Sequence, residues 1–434
     1  MSPKPVYQTP KLQPIEIEVL GMIDDLRDQL RNYVNPEPRR WYGTLRRMSF
    51  ARAVQGSNSI EGYDASLDDV IAAVDDEPTL TTDEETRLAL AGYRDAMTYV
   101  LQVAQDPAAK VDAGLLKSLH FMMLKHRLDK DPGRWRPGEI YVVRESTGEQ
   151  TYEGPPYDWV PELISAVIAE LEDSDAHVLV RAAMAHLNLV MVHPFRDGNG
   201  RMARALQTLI LAREEIRAPV FSSIEEYLGR NTESYYEVLG EVGQGQWHPE
   251  NDARPWLRYC LRAHYYQART QLRRVQETER LYEACAKIAQ QRGLPERTTG
   301  ALAEVAYGLR LTHSTYKIIM EITAGETISG QTASRDLRAL VDAKLLKPIG
   351  QTRGRHYVAE PVLLDERKRI QVDRAPRETS DPFELATGQL SLALSGLARK
   401  FAHVSGVPDT LALPRKEACD QVPARRLPFV EAVA

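Results

Sequence analysis

The chain has 434 residues, 43% hydrophobic and 27% charged, with 61 acidic against 55 basic side chains and a net charge of −6. That is too long for one core, so two to four domains of an ordinary soluble protein are expected, and the charge does not favour non-specific nucleic-acid binding by the whole chain while allowing a local basic patch. Cys260, Cys285 and Cys419 show no metal spacing, MSPKPVYQTPKLQP has no apolar leader core, and no stretch reaches the ~20 apolar residues of a membrane span, so a cytoplasmic protein with free thiols is expected.

Helical signals dominate. PIEIEVLGMIDDLRDQLRNYV carries apolar residues at helical spacing and ends before Asn35-Pro36. A second helix is predicted from Trp41 to Gln55, stopping at Gly56. Thr82 and Glu85 fit a capping box opening the helix through TRLALAGYRDAMTYVLQVA. Asp112 is a candidate cap for GLLKSLHFMML. The stretch 131–163 is then rich in Gly and Pro, and inside it EIYVVRE and EQTYE flank Ser146-Thr147-Gly148 as a short β-hairpin. Asp158 is a candidate cap for the next helix. A helix predicted over roughly 176–191 is apolar on nearly every face and so central. Further helices are predicted at 232–242 and 252–290, with a domain boundary near Gly293-Leu294-Pro295.

Between two apolar segments stands HPFRDGNGRMAR, residues 193–204. The helix beginning near Arg201 turns Met202, Ala205, Leu206 and Leu209 to the core and sends Arg201, Arg204 and Thr208 along another stripe. A helix N-terminus offers unpaired N–H groups and a positive dipole end. Gly198 and Gly200 allow close backbone approach, and Asn199 adds an amide. Asp197 would repel a bare phosphate, so a divalent cation between them is expected, and Mg²⁺ suits one carboxylate plus phosphate oxygens. His193 at the mouth of the loop can take a proton. Phe195 is expected to anchor the loop. The residues thus read as a polyphosphate site with a base beside it.

At these residues the sequence resembles the Fic family of nucleotidyltransferases, whose pattern H-x-F-x-[D/E]-G-N-G-R-x-x-R is matched without a mismatch, and the resemblance extends over roughly residues 12–270. It implies a mainly α fold: a Fic-type helical-bundle core with a β-hairpin flap. It implies a protein adenylyltransferase, moving AMP from ATP to a Tyr, Ser or Thr hydroxyl of a target protein. His193 is then the general base and Asp197 the Mg²⁺ ligand. Gly198, Asn199, Gly200 and Arg201 form the phosphate-binding anion hole, and Arg204 takes the γ-phosphate. The Doc-like kinase branch has lysine at the position of Gly200, so this chain favours AMP transfer. Tyr235 and Tyr236 resemble the family's adenine-pocket tyrosines, although Gly243 stands where some relatives carry Asn. Tyr141, Val142 and Val143 on the hairpin fall where an extended target segment would dock.

Ser57-Asn58-Ser59-Ile60-Glu61-Gly62 resembles the family's inhibitory pattern [S/T]-x-x-x-E-[G/N]. Ser57, Glu61 and Gly62 are its fixed positions, and Glu61 would occupy Arg204 as a carboxylate partner. In some relatives the same glutamate positions a water for AMP removal. Residues 328–358 read as a winged helix–turn–helix, with Ser329 as cap, Leu337, Leu340 and Val341 inward, and strands at Leu345-Leu346 and His356–Val358. Six basic and two acidic residues between Gln331 and Val358 make it locally +4, with Arg335 and Arg338 as candidate phosphate contacts. The expected organisation is an N-terminal helical region with the inhibitory helix (1–110), a catalytic core (111–270), a helical connector (271–293), the winged helix (294–360) and a tail (361–434) with one weak helix, LSLALSGLARKFAHV. Expected partners are ATP, the target protein, DNA through the winged helix and a second copy of the chain. Two other functions stay open: a transcription regulator using the core as a nucleotide sensor, and a mainly AMP-removing enzyme.

Overall fold

In the computed structural model the described residues are 5–34, 40–144, 148–173, 175–213, 223–351, 354–374 and 379–389. The first helices are α1 (Pro14–Val34), α2 (Trp41–Ile60), α3 (Leu67–Val74), α4 (Glu84–Val103) and α5 (Ala113–Leu124). A hairpin of β1 (Tyr141–Arg144) and β2 (Glu149–Glu153) follows, then α6 (Val160–Asp173), α7 (Val178–Val192), α8 (Asn199–Arg213), α9 (Glu225–Arg230), α10 (Thr232–Gly243) and α11 (Arg254–Gln291). The C-terminal part holds α12 (Thr299–Ala306), α13 (His313–Ala324), α14 (Gly330–Asp342), an antiparallel pair β3 (Leu346–Ile349) and β4 (His356–Ala359), and α15 (Pro361–Val372). No helix among the described residues is long and apolar enough to cross a membrane.

Side-chain caps set several boundaries. Asp112 caps α5 by accepting the Leu115 N–H at 2.7 Å, and Ser329 caps α14 by accepting that of Thr332 at 3.1 Å. The predicted capping box at Thr82 is displaced by one residue. Asp83 takes the Thr86 N–H at 2.9 Å, because its carboxylate is a stronger acceptor, and the Thr82 hydroxyl donates instead to Asp69. Asp158 is not a cap either: it lies within a short 3-10 turn, Tyr157–Trp159, ahead of α6.

The main core is built around α7, whose side chains are buried on every face, with α8 packed along it. Trp256 of α11 fills the bundle centre and donates its indole N–H to the Ala183 carbonyl at 2.7 Å. The N-terminal helices share this core with residues 111–265. A second core joins Leu281, Cys285 and Ala289 of α11 to α12–α15. The segment 271–293 is therefore no separate element, since α11 runs unbroken through both cores. The weak helix of the tail, from residue 390, and Cys419 lie outside the described residues. Cys260 and Cys285 are buried free thiols.

The helix α2 joins the two cores. It does not stop at Gly56, because burial continues the helix to Ile60. A methyl on Gly56 would lie 2.4 Å from the Glu225 carbonyl oxygen and one on Gly43 2.3 Å from that of Ile322, so both glycines mark close backbone packing, on α9 and α13 respectively. Between them Arg47 is buried in ion pairs with Asp75 and Glu304.

Candidate active site

His193 ends α7 in the left-handed conformation, at φ +49°. Such a conformation costs a non-glycine residue roughly 1–2 kcal/mol, so its surroundings must impose it. The imposition comes from Arg136: its side chain donates to the His193 carbonyl at 2.9 Å and to Gly138 at 2.7 Å, and also to Pro155. Its own N–H reaches the Pro194 carbonyl at 2.9 Å. The imidazole Nδ1 lies 3.2 Å from the Val190 carbonyl. A carbonyl only accepts, so Nδ1 carries the proton and Nε2 keeps its lone pair. Burial pulls the imidazole pKa down to about 4, so the ring is neutral at neutral pH.

The loop after it is tied to itself. Asn199, fully buried, accepts the Phe195 N–H at 2.9 Å and donates to the Phe195 carbonyl at 3.0 Å. Its amide therefore cannot face a ligand, and only its backbone can serve the anion site predicted there. Phe195 is buried as expected and stacks on His120, with ring centroids 3.8 Å apart. His120 accepts the Gly133 N–H on Nδ1 at 2.8 Å, so Nε2 donates to the Asp197 carbonyl at 2.9 Å. Gly198 has φ +75°, and a methyl on it would lie 2.6 Å from Leu124. The chain reversal there leaves room for nothing larger.

Asn199 and Gly200 already belong to α8, which starts two residues earlier than predicted. Arg201 is 1% exposed, lies over the Tyr63 ring at 5.2 Å and approaches Asp197 only to 3.6 Å. Its Nε and Nη1 are buried without a hydrogen-bond acceptor among the described residues. Arg204, also 1% exposed, is held: Nε donates to the Ser57 hydroxyl at 2.8 Å, and Nη2 to the Ser57 carbonyl at 2.9 Å and to Glu61 at 2.5 Å. Its Nη1 has no acceptor among the described residues. The Glu61 carboxylate holds the Arg204 guanidinium well above its usual pKa. Gly62, at φ +81°, turns the chain directly after Glu61. A methyl on Gly200 would lie 2.5 Å from the Glu61 carboxylate, so the absence of a side chain there admits the pair. Thr208, predicted on the same stripe, donates instead to the buried Glu225 at 3.1 Å.

Beside His193 opens a cavity of about 470 Å³ between the hairpin and α10. Val142 and Val143 line it, whereas Tyr141 does not. The register shifts by a bulge between Val142 and Val143. The two tyrosines divide. Tyr236 lines the cavity, but Tyr235 is 1% exposed and its hydroxyl lies 3.0 Å from His186 in the core, so it is no adenine contact. Successive helical residues point about 100° apart, so only one of the pair can face a ligand. A methyl added to Gly243 would lie 3.3 Å from the Met191 side chain and 3.4 Å from the Tyr152 ring, so a side chain there would have to shift its neighbours.

The three buried guanidinium nitrogens at the start of α8 that have no acceptor among the described residues are donors that an anion could satisfy. Among the described residues no group of three or more His, Cys, Asp or Glu could cage a metal. Asp197, with a side chain 22% exposed, fits a cation shared with phosphate oxygens and no all-protein cage. Motif reading missed Arg136 and His120. Arg136 lies within the Gly- and Pro-rich stretch 131–163 that leads into the hairpin, and nothing local signals His120.

Residues 110–211 match the Fic/DOC family, a span that includes His120, Arg136, the hairpin and the whole loop. Over 259 residues the chain is 26% identical to a protein adenylyltransferase Fic of Nematostella vectensis, covering 58% of this chain and 55% of that one. Over 262 residues it is 28% identical to the protein adenylyltransferase fic-1 of Caenorhabditis elegans, covering 58% and 47%. The chain thus spans about half the length of the curated relatives it matches. A crystal structure of a Fic family protein from Desulfovibrio desulfuricans G20 superposes with a TM-score of 0.52 at 20% identity, over 82% of this chain and 99% of that one, which establishes the shared fold. Residues 110–211 thus carry a match to the Fic/DOC family, and the chain is distantly similar to the protein adenylyltransferases called Fic.

Proposed function

We propose that this protein transfers AMP from ATP to a Tyr, Ser or Thr hydroxyl of a target protein, and that Glu61 restrains the transfer. The observation that carries the reading is the pairing of a neutral imidazole with buried guanidinium nitrogens that lack acceptors among the described residues. Nε2 of His193 takes the hydroxyl proton as the oxygen bonds to the α-phosphorus. The bond from that phosphorus to the bridging oxygen breaks, and pyrophosphate leaves. Arg201 and the first N–H groups of α8 hold the phosphates. Such transfers depend on positioning and charge stabilisation more than on covalent help. Mg²⁺, held by Asp197 together with phosphate oxygens, would supply charge neutralisation on the nucleotide.

Arg204 is the site's second phosphate ligand only when Glu61 lets go. With Ser57 and Glu61 on it, one terminal nitrogen remains. The pair is almost fully buried, so it competes with a phosphate more effectively than an exposed pair would. Tyr236 and the hairpin shape the cavity that would take the adenine and the target segment.

The test uses purified protein, Mg²⁺ and α-labelled ATP, alone and with a cell lysate. The wild type should label weakly, Glu61→Gly strongly, and Glu61→Gly/His193→Ala not at all. No gain in Glu61→Gly would remove Glu61 as the restraint. Absence of label from every variant, with ATP bound, would refute transfer and leave a nucleotide sensor. Loss of label from a premodified target in wild type alone would instead favour AMP removal.

A further inference from the structure

The C-terminal unit carries a surface that AMP transfer does not use. Its docking onto the rest of the chain runs through α12 and α13 against α2, and through α12 and α15 against α11. The helix α14 packs chiefly against α13 and β3 and takes an ion pair from Arg297. One side of α14, Ala333, Leu337 and Leu340, is buried. The opposite side presents Gln331, Ser334, Arg335 and Arg338 to solvent, at spacings of three, four and seven residues on one stripe.

The acid on this helix is turned away. Asp336 is 2% exposed, bound by both forks of Arg297 at 2.8 and 2.9 Å and by the Tyr316 hydroxyl at 3.0 Å. The outward stripe is therefore free of carboxylates until Asp342 at its C-terminal end. Arg335 has a side chain 74% exposed. Lys344, Lys347 and Arg355 add exposed charge on the adjoining turn and hairpin, with Arg355 over the Tyr357 ring.

We propose that this face binds double-stranded DNA, with α14 in the major groove and the β3–β4 hairpin on the flanking backbone. Thirteen residues give a helix about 20 Å long, which fits a groove about 12 Å wide. Arginine reads guanine edges, glutamine reads adenine, and serine serves either. Lysines on the hairpin supply backbone contacts. A protein partner fits less well. Interface centres are apolar and poor in charge, and this stripe has no apolar side chain. Duplex RNA fits less well too, because its major groove is too narrow for side chains to read. The net charge of −6 is compatible with this, since the positive charge is confined to one face.

The experiment measures fluorescence anisotropy of the full chain with a labelled mixed-sequence DNA duplex over a salt series. Wild type should bind with an affinity that falls steeply with salt. Arg335→Ala and Arg338→Ala should each weaken binding, the salt slope falling by about one for each phosphate contact removed, and the double variant should bind most weakly. Lys110→Ala, an exposed lysine far along the chain, should leave binding unchanged. Thermal unfolding of each variant at the wild-type temperature secures that the surface alone has changed. Equal binding by wild type and the double variant, no binding at low salt, or equal affinity for duplex RNA overturns the proposal. Selection from a random duplex pool should enrich a short motif in wild type and lose it in Arg338→Ala.

Discussion

The loop between α7 and α8 and the end of α2 converge on one helix turn, yet they are built in opposite ways. The loop is held mostly by near neighbours, with Arg136 and His120 bracing it from outside: Asn199 clamps Phe195 four positions away, and the His193 imidazole is fixed by Val190 three positions away. The end of α2 has meaning only through residues far along the chain, for Glu61 and Ser57 meet Arg204 across 143 and 147 positions. Arg201 and Arg204 record the difference. Both are buried to the same degree on the same helix, but Arg201 keeps two nitrogens open among the described residues, whereas Arg204 has three hydrogen bonds and one open nitrogen. A locally built site is ready for a ligand at all times, whereas a site completed from a distance can be withheld from it. Whatever shifts α2 shifts the second kind only. Because α2 also packs on α13 and binds Glu304 through Arg47, the C-terminal unit is attached to the half of the site on which the proposed restraint acts.

The sharpest way to break the comparison is to remove chemistry from the local half. His193→Ala should reduce AMP transfer by about 10² to 10⁴ while ATP binding persists, measured by single-turnover labelling beside nucleotide titration. Loss of ATP binding in parallel would mean that the loop, and not the base, was damaged. The neutral state of the ring gives a pH test as well. Burial lowers the pKa of His193 and His120 to about 4, and those of His186 and His264 to about 3. In the unfolded chain these rings take protons near pH 6.5. Between that value and the folded pKa the unfolded state binds more protons, so stability is complete above about pH 6.5 and is lost as pH falls toward 4. Transfer by Glu61→Gly should be flat from pH 7 to 8 and fall together with thermal stability below about pH 6. A transfer rate that falls above pH 7 would contradict the neutral-base assignment.

A smaller effect is expected from cutting the loop's own clamp. Asn199→Ala leaves the Phe195 N–H and carbonyl buried without partners, which costs about 1–3 kcal/mol. Thermal unfolding should drop accordingly, and transfer should drop with it. Ser57→Ala is the counterpart on the distant half. It removes one acceptor from Arg204 and should raise transfer, so the two substitutions move activity in opposite directions. Equal signs would erase the distinction between the halves.

How far the sequence discloses each half follows from the same contrast. The loop is contiguous, and its twelve residues carry base, carboxylate, glycines and arginines in an order with few other uses. Even so, the role of Asn199 reads wrongly, because an amide beside a phosphate site looks like a ligand until its partners are seen. His120 is invisible because it acts on Asp197 from 77 positions away. Periodicity places Tyr235 and Tyr236 on one helix but does not say which faces the cavity. Gly56 reads as a helix stop, since its cost in a helix is local, whereas the packing on α9 that outweighs the cost is not. Ser329 and Asp112 are legible as caps because a cap acts three residues away. Thr82 fails by one residue because two good acceptors stand side by side.

The smallest effect is expected where the two halves touch through backbone alone. Gly62 has φ +81°, and a methyl placed on it meets nothing within 4 Å, so Gly62→Ala introduces strain without a clash. That strain is worth roughly 1 kcal/mol. The turn it would relax is held by the Gly62 N–H on Ser59 at 3.2 Å and the Tyr63 N–H on Asn58 at 3.0 Å. Glu61 precedes the turn and Tyr63, lying over Arg201, follows it. If the folded chain absorbs the strain elsewhere, unfolding shifts and transfer does not. If it relaxes the turn, Glu61 leaves Arg204 more often, and 1 kcal/mol allows a gain of about fivefold. Gly62→Ala should therefore lower thermal stability slightly and raise labelling by less than about fivefold, well below Glu61→Gly. A gain equal to that of Glu61→Gly would show that the restraint resides in the turn and not in the carboxylate.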